Sequence, residues 1–125
     1  HVYFKKIRRP RPDQRAFVVS EFGGYNLKMA GHLWDENKKF GYRYYETPEA
    51  FTGAYITLLE EELKPLLPQG LAAAIYTQTT DVEIEINGFL TYDRKVQKMD
   101  SESLKRIHAE LINGVVDHAT KLVEK

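Results

Sequence analysis

The sequence predicts an α/β fold, a β-α-β-α run with parallel strands and right-handed crossovers, and three observations carry that expectation. Two short, continuous apolar runs, residues 16–20 (AFVVS) and 71–76 (LAAAIY), read as strands of the kind covered on both faces in a parallel sheet. Each is followed by a helical pattern with apolar residues three and four apart. Polar residues and glycine gather where each apolar run ends, which is where sites sit in α/β folds.

Taken in order, residues 1–4 (HVYF) read as the tail of a strand. Residues 5–15 (KKIRRPRPDQR) carry six cations and two prolines. That stretch reads as a solvated connection, because Pro10 and Pro12 break any helix and no aromatic side chains interleave the charges as in a nucleic-acid reader. The strand at 16–20 stops at Glu21-Phe22-Gly23-Gly24, where the glycines permit a sharp turn with Glu21 at the strand's carboxyl end. Residues 26–45 are aromatic, long and without period, so they read as a loop of the functional kind.

Thr47-Pro48-Glu49 is a helix start: a capping hydroxyl, proline at the first helical position and an acid in the first turn. Phe51, Ala54, Tyr55, Leu58, Leu59, Leu63 and Leu66 then form one apolar stripe, closed by Pro65, Pro68 and Gly70. The Glu60-Glu61-Glu62 run reads as the solvated face. After the second strand, Thr77 to Thr80 with Asp81, Glu83, Glu85 and Asn87 make a polar mouth, and Val82, Ile84 and Ile86 alternate behind it. Asn87-Gly88 is a turn signal. Asp100 can cap a final helix whose Leu104, Ile107, Leu111, Val115 and Leu122 keep the same spacing for five turns.

The 125 residues suffice for one domain, and 42% hydrophobic with 12% aromatic content supplies a core. Eighteen Lys and Arg against 18 Asp and Glu leave no net charge to draw a polyanion. The absence of cysteine excludes disulfides, a thiol nucleophile, thiolate zinc sites and iron–sulfur clusters. No apolar run approaches the ~20 residues of a membrane span, and no charged-then-apolar leader precedes the first periodic segment. Beginning at His1 inside what reads as a strand, the sequence is expected to be a fragment of a longer chain.

Glu21 is the foremost chemical candidate, with pairing to an Arg or closure of the turn as its structural alternative. His1, His32, His108 and His118 lack metal-ligand spacing, so no metal is expected. His32 and Trp34 share the aromatic loop; Trp34 is either a platform for the apolar side of a sugar or a staple for that loop. No GxGxxG, GxxxxGK[ST] or GxSxG occurs, and no cofactor is implied.

Residues 17–25 (FVVSEFGGY) resemble the seventh strand of glycoside hydrolase family 2 catalytic domains, and residues 76–95 (YTQTTDVEIEINGFLTYDRK) resemble the eighth strand and following loop of a bacterial subgroup of that family. The resemblance spans roughly residues 1–98 and fades over 99–125, the terminal amphipathic helix of the same domain. It implies the carboxyl-terminal part of a (β/α)8 barrel belonging to a retaining β-glycosidase, with a β-glycoside as substrate. By motif, Glu21 matches the nucleophile, and Gln78, Asp81, Trp34 and His32 match positions that could contact the sugar.

Retaining glycosidases need a second carboxyl about 5 Å from the first. In the family it is the Glu of an Asn-Glu pair on strand four, which has no counterpart here. A whole barrel needs ~250 residues, so the chain alone is expected to be inactive and to self-associate through uncovered strands, with neither nucleic acid nor membrane as partner. The reading from a different class is a non-catalytic carbohydrate-binding or structural piece.

Overall fold

The computed structural model describes residues 6–11 and 14–123, without the side chains of His118 and residues 121–123. The expected strand tail at residues 1–4 lies outside the described residues. The chain runs β1 (Phe17–Phe22), β2 (Tyr25–Leu27), β3 (Arg43–Tyr45), α1 (Pro48–Leu58), β4 (Leu71–Tyr76) and α2 (Ser101–Val123). β1 pairs with β4 in parallel, and β2 with β3 in parallel, as two separate two-stranded sheets.

The described residues of the basic stretch are all exposed except Ile7. That side chain is buried in the core, and its backbone N–H donates to Glu62 Oε2 at 2.9 Å, so one apolar residue ties the connection to the far end of the first helix. α1 begins as its sequence dictates: the Thr47 hydroxyl accepts from Ala50 N at 3.1 Å, and Pro48 opens the first turn without wasting a donor. Its apolar stripe puts Phe51, Tyr55, Leu59 and Leu63 at the centre of the core against Val19, Phe22 and Leu71. Each such side chain stabilises by about 1.5–3 kcal/mol through burial.

The helix does not finish as α-helix. It widens to a π segment over Leu59–Leu63 and tightens to 3-10 over Lys64–Gln69. Pro65 has no N–H to give the carbonyl one turn back, and its ring crowds that turn, so the hydrogen-bond ladder must change pitch there. Gly70, in the left-handed region at φ +91°, ends the segment by donating to Leu67 O at 3.0 Å.

The β1–β4 sheet departs from the expectation of cover on both faces. Val19, Phe22 and Leu71 pack on α1 and the following turns, but Val18 is 45% and Ile75 54% exposed on the opposite face. Among the described residues the helices lie over one face only. Pairing also slips twice. Phe17 faces Leu71 while Val18 faces Ala73, and Val19 faces Ala74 while Phe22 faces Tyr76. Each slip leaves one residue unmatched, first in β4 and then in β1. The second slip restores Phe22 to the packed side after Val19, so Ser20 and Glu21 leave that side together.

The aperiodic stretch 26–45 is not all loop. Its ends form β2 and β3, three residues each, held by Asn26, which is fully buried and donates through Nδ2 to Gly24 O at 2.9 Å and Arg43 O at 3.1 Å. The alternating residues 82–86 do not make a strand; Val82 and Glu85 exchange both backbone hydrogen bonds (3.0 and 2.9 Å) around a tight turn, with Glu83 at φ +50°. The turn therefore falls at Glu83-Ile84, not at Asn87-Gly88. Gly88 answers a different need: a Cβ there would stand 2.4 Å from Asp81 N and 2.5 Å from Thr80 C.

α2 starts where Asp100 caps it, Oδ2 accepting from Ser103 N at 2.8 Å. Leu104 and Ile107 are buried, whereas Ile112 and Val116 are exposed, so the apolar stripe outlasts its packing. Between β4 and α2 lies an apolar cavity of about 350 Å3 whose walls carry no carboxylate; at its polar end Tyr55 Oη and His108 Nε2 are 2.8 Å apart. Burial holds the Tyr55 phenol well above its usual range and pushes the His108 imidazole down, so this is a neutral pair.

Candidate functional site at the strand exits

β1 and β4 leave their sheet side by side. Gly23 and Gly24 follow β1 at φ +104° and +80°, and a Cβ on Gly23 would meet the Tyr76 ring at 2.3 Å. Only glycine lets the two exits approach this closely. Thr77, the first residue past β4, donates to Phe22 O through its N–H at 3.0 Å and through Oγ1 at 2.7 Å. Tyr76 stacks on Phe89, centroids 4.5 Å apart, and donates from its hydroxyl to Asn87 O at 3.0 Å. The segment after β4 is thereby folded back over the exits.

Glu21 stands at this end of β1, half-buried, and Gln78 lies two residues past the end of the neighbouring β4. The Gln78 side chain donates to Glu85 O at 3.3 Å, a long bond that ties the mouth of β4 to the tight turn. A second layer closes around them: Leu27 N donates to Ile86 O at 3.1 Å and Phe40 N to Ile84 O at 2.8 Å, joining the aromatic loop to the segment after β4.

Asp81 is placed differently from Glu21 and Gln78. It is buried, and Oδ1 and Oδ2 accept from Lys98 Nζ at 2.7 and 2.9 Å, while Gly88 N donates to Oδ1 at 2.8 Å. The third Lys98 proton goes to Ile86 O at 2.8 Å, and the ammonium has no exposed surface. Burial pushes the Asp81 carboxyl up and the Lys98 ammonium down, each opposed by the other's charge. Asp81 is thus a clasp for the loop that covers the site, with all its acceptors occupied from inside the protein.

His32 and Trp34 come together with two residues that sequence reasoning passed over. His32 Nδ1 is 2.9 Å from Asp93 Oδ2, and the Trp34 and Tyr92 rings meet edge to face at 5.8 Å and 88°. Asp93 Oδ1 also accepts from Thr91 Oγ1 at 2.6 Å and Lys95 N at 3.1 Å. The Thr91 hydroxyl first, and then His32, hold its carboxyl well below the usual range. No local signal could have joined positions 61 residues apart; only Arg94, a non-glycine at φ +58°, marks the turn as built to a fixed shape.

The strand exits therefore carry a half-buried carboxylate near the end of β1 and an amide just past β4, and the aromatic loop holds Trp34 against Tyr92. Among the described residues no group of three or more His, Asp or Glu side chains could hold a metal ion, and no helix is long and apolar enough to cross a membrane. The chain matches no protein-family model and no curated protein.

Proposed function

We propose that this chain is the carboxyl-terminal part of the (β/α)8 barrel of a retaining β-glycosidase of glycoside hydrolase family 2, and that Glu21 is its nucleophile. The observation that carries this reading is the position of Glu21: at the carboxyl end of a parallel strand, displaced by the register slip from the helix-packed side. In a barrel the face opposite the helices is the interior, and catalytic residues come from the strands' carboxyl ends. The uncovered Val18 and Ile75 suit such an interior position.

In this mechanism the Glu21 carboxylate attacks the anomeric carbon as the glycosidic C–O bond breaks, giving a glycosyl ester. The departing oxygen takes a proton from a second carboxylic acid, and water then releases the sugar by the reverse transfer. This chain has no counterpart of the family's Asn-Glu acid, so that proton donor belongs to a longer form of the protein. Gln78, two residues past the end of β4, is assigned a sugar hydroxyl on the strength of the family resemblance.

The test is mechanism-based labelling with a panel of 2-deoxy-2-fluoro β-glycosides, followed by peptide mass mapping, on the protein isolated from its source and on the 125-residue chain. Label on Glu21 in the former and none in the latter is expected. Label on another residue, or none in the protein from its source, would return Glu21 to a structural carboxylate and leave a non-catalytic piece.

A further inference from the structure

We infer that the apolar cavity between β4 and α2 binds a small neutral phenol, its ring and a short alkyl tail among the apolar walls and its hydroxyl on Tyr55 and His108. None of Glu21, Gln78, Asp81, His32 or Trp34 lines the cavity, so this site is independent of the glycosidase reading.

The cavity is built to stay open. α2 packs on α1 and on the turn that follows it, and two contacts pin it there. One is the hydrogen bond of 2.8 Å between Tyr55 and His108; the other is Gly114, where a Cβ would stand 2.7 Å from Leu67 Cδ1. Those two points are separated by roughly 9 Å of helix. Across the gap β4 presents Ala72, Ala73 and Ala74, whose methyl groups are too short to fill it. With its walls held apart, the cavity keeps a volume of about 350 Å3. An apolar cavity of ~150 Å3 already takes up a benzene ring. Ile112, which lines the cavity, is 63% exposed and gives a ligand a way in.

The lining selects the ligand. Among the described residues no Lys, Arg, Asp or Glu lines the cavity, and burial keeps Tyr55 and His108 both uncharged. A carboxylate, a phosphate or an ammonium would be buried there without a partner. A sugar, with a hydroxyl on most of its carbons, would leave most of them unpaired. One hydroxyl fits. Among the described residues Tyr55 Oη makes its only hydrogen bond with His108 Nε2. When the phenol gives its proton to the imidazole, its oxygen is left to accept; when the imidazole gives, the phenol proton is left to donate. A ligand hydroxyl both gives and takes, so it meets either case. Around that point Tyr55 makes edge-to-face contacts with Tyr76 at 5.1 Å and Phe89 at 5.3 Å. An aromatic ring that carries the hydroxyl extends this cluster, while Leu111 and Val115 receive the alkyl tail.

The experiment is an NMR titration of the 125-residue chain with 4-propylphenol, propylbenzene and 4-propylbenzoate at neutral pH. 4-Propylphenol is expected to saturate one site and to move the resonances of His108 and Leu111. Its Kd should lie about fivefold below that of propylbenzene, the worth of one hydrogen bond. It should lie at least about tenfold below that of 4-propylbenzoate, whose charge would be buried. Ala72→Leu adds bulk to the cavity from an exposed position of β4, and should weaken phenol binding at least about fivefold with an unchanged circular dichroism spectrum. Tyr55→Phe should bring 4-propylphenol and propylbenzene to equal affinity. No saturable binding of 4-propylphenol, propylbenzene or 4-propylbenzoate bound as tightly as the phenol, or wild-type binding by Ala72→Leu would overturn the inference. So would a chain that sediments as a dimer and excludes the phenol, which would give the cavity to a second copy.

Discussion

Replacing Lys98 by methionine keeps the stem of the side chain and removes its charge, and the structure fixes what that costs. The three ammonium protons go to Asp81 Oδ1, Asp81 Oδ2 and Ile86 O, none farther than 2.9 Å, with no exposed surface on the lysine and almost none on the carboxylate. Lys98→Met leaves a buried anion whose remaining hydrogen bond is Gly88 N, a loss of about 3–5 kcal/mol. For a domain whose whole stability is of order 5–15 kcal/mol, that is about a fifth or more. Asp81→Leu strands the ammonium instead and costs a similar amount. The double variant removes both charges and leaves only Gly88 N without a partner, about 1–3 kcal/mol, since Ile86 O still accepts from Leu27 N. It should therefore be far less unstable than the two single losses added together, with a coupling of at least ~2 kcal/mol. Urea unfolding followed by circular dichroism reads this as a midpoint lowered by roughly 2–3 M in Lys98→Met, at a slope near 1.5 kcal/mol/M. A loss under ~1 kcal/mol for Lys98→Met, or a double variant as unstable as the sum of the singles, would refute the clasp.

Two further outcomes follow from the geometry. Gly88→Ala forces a Cβ to within 2.4 Å of Asp81 N, with the Thr80 backbone unable to yield, so thermal unfolding should show a loss of about 3 kcal/mol, at the upper end for overpacking. A Tm within about 2 °C of wild type, equivalent to roughly 0.5 kcal/mol in a domain of this size, would contradict it. The Asp93 carboxyl is held below its unfolded value by Thr91 and His32, so its contribution is full above pH ~4 and is lost as pH falls further. Asp93→Asn should flatten the acid limb of a stability-against-pH curve below pH ~4, and an unaltered limb would remove Asp93 from that role. Asp81, pushed up by burial, carries the opposite sign and gives no stability that acid removes.

What could be read from the residues was what lies close along the chain. The Thr47 cap, proline at Pro48, the bounds of β4 and the Asp100 cap all follow from neighbours within four residues, where side-chain chemistry dictates backbone geometry. β2 and β3 escaped because three residues cannot show a period, and because their pairing depends on Asn26, a polar residue buried for its hydrogen bonds. The 82–86 alternation misled for a related reason: Val82 and Glu85 close a turn on themselves, and hydrophobicity does not report it. At the site, Glu21 and the glycines after it were legible as a strand exit. Lys98, lying in a polar run, and Asp93 and Tyr92, far along the chain from His32 and Trp34, became visible only when folding brought them together.

The parallel pairing of β1 with β4 also sets the order in which the molecule can assemble. Phe17 meets Leu71 across roughly fifty residues, and closing a loop of that size costs about 3–4 kcal/mol of chain entropy before any ladder bond is made. α1, nucleated by its own cap, can form early, but the sheet waits until α1 and the turns after it have collapsed onto Val19 and Phe22. During that interval both strands stand unpaired with Val18 and Ile75 beside them. The hazard for this chain lies in the time before its ends of sheet meet, when a neighbouring molecule at high concentration competes for the same hydrogen bonds.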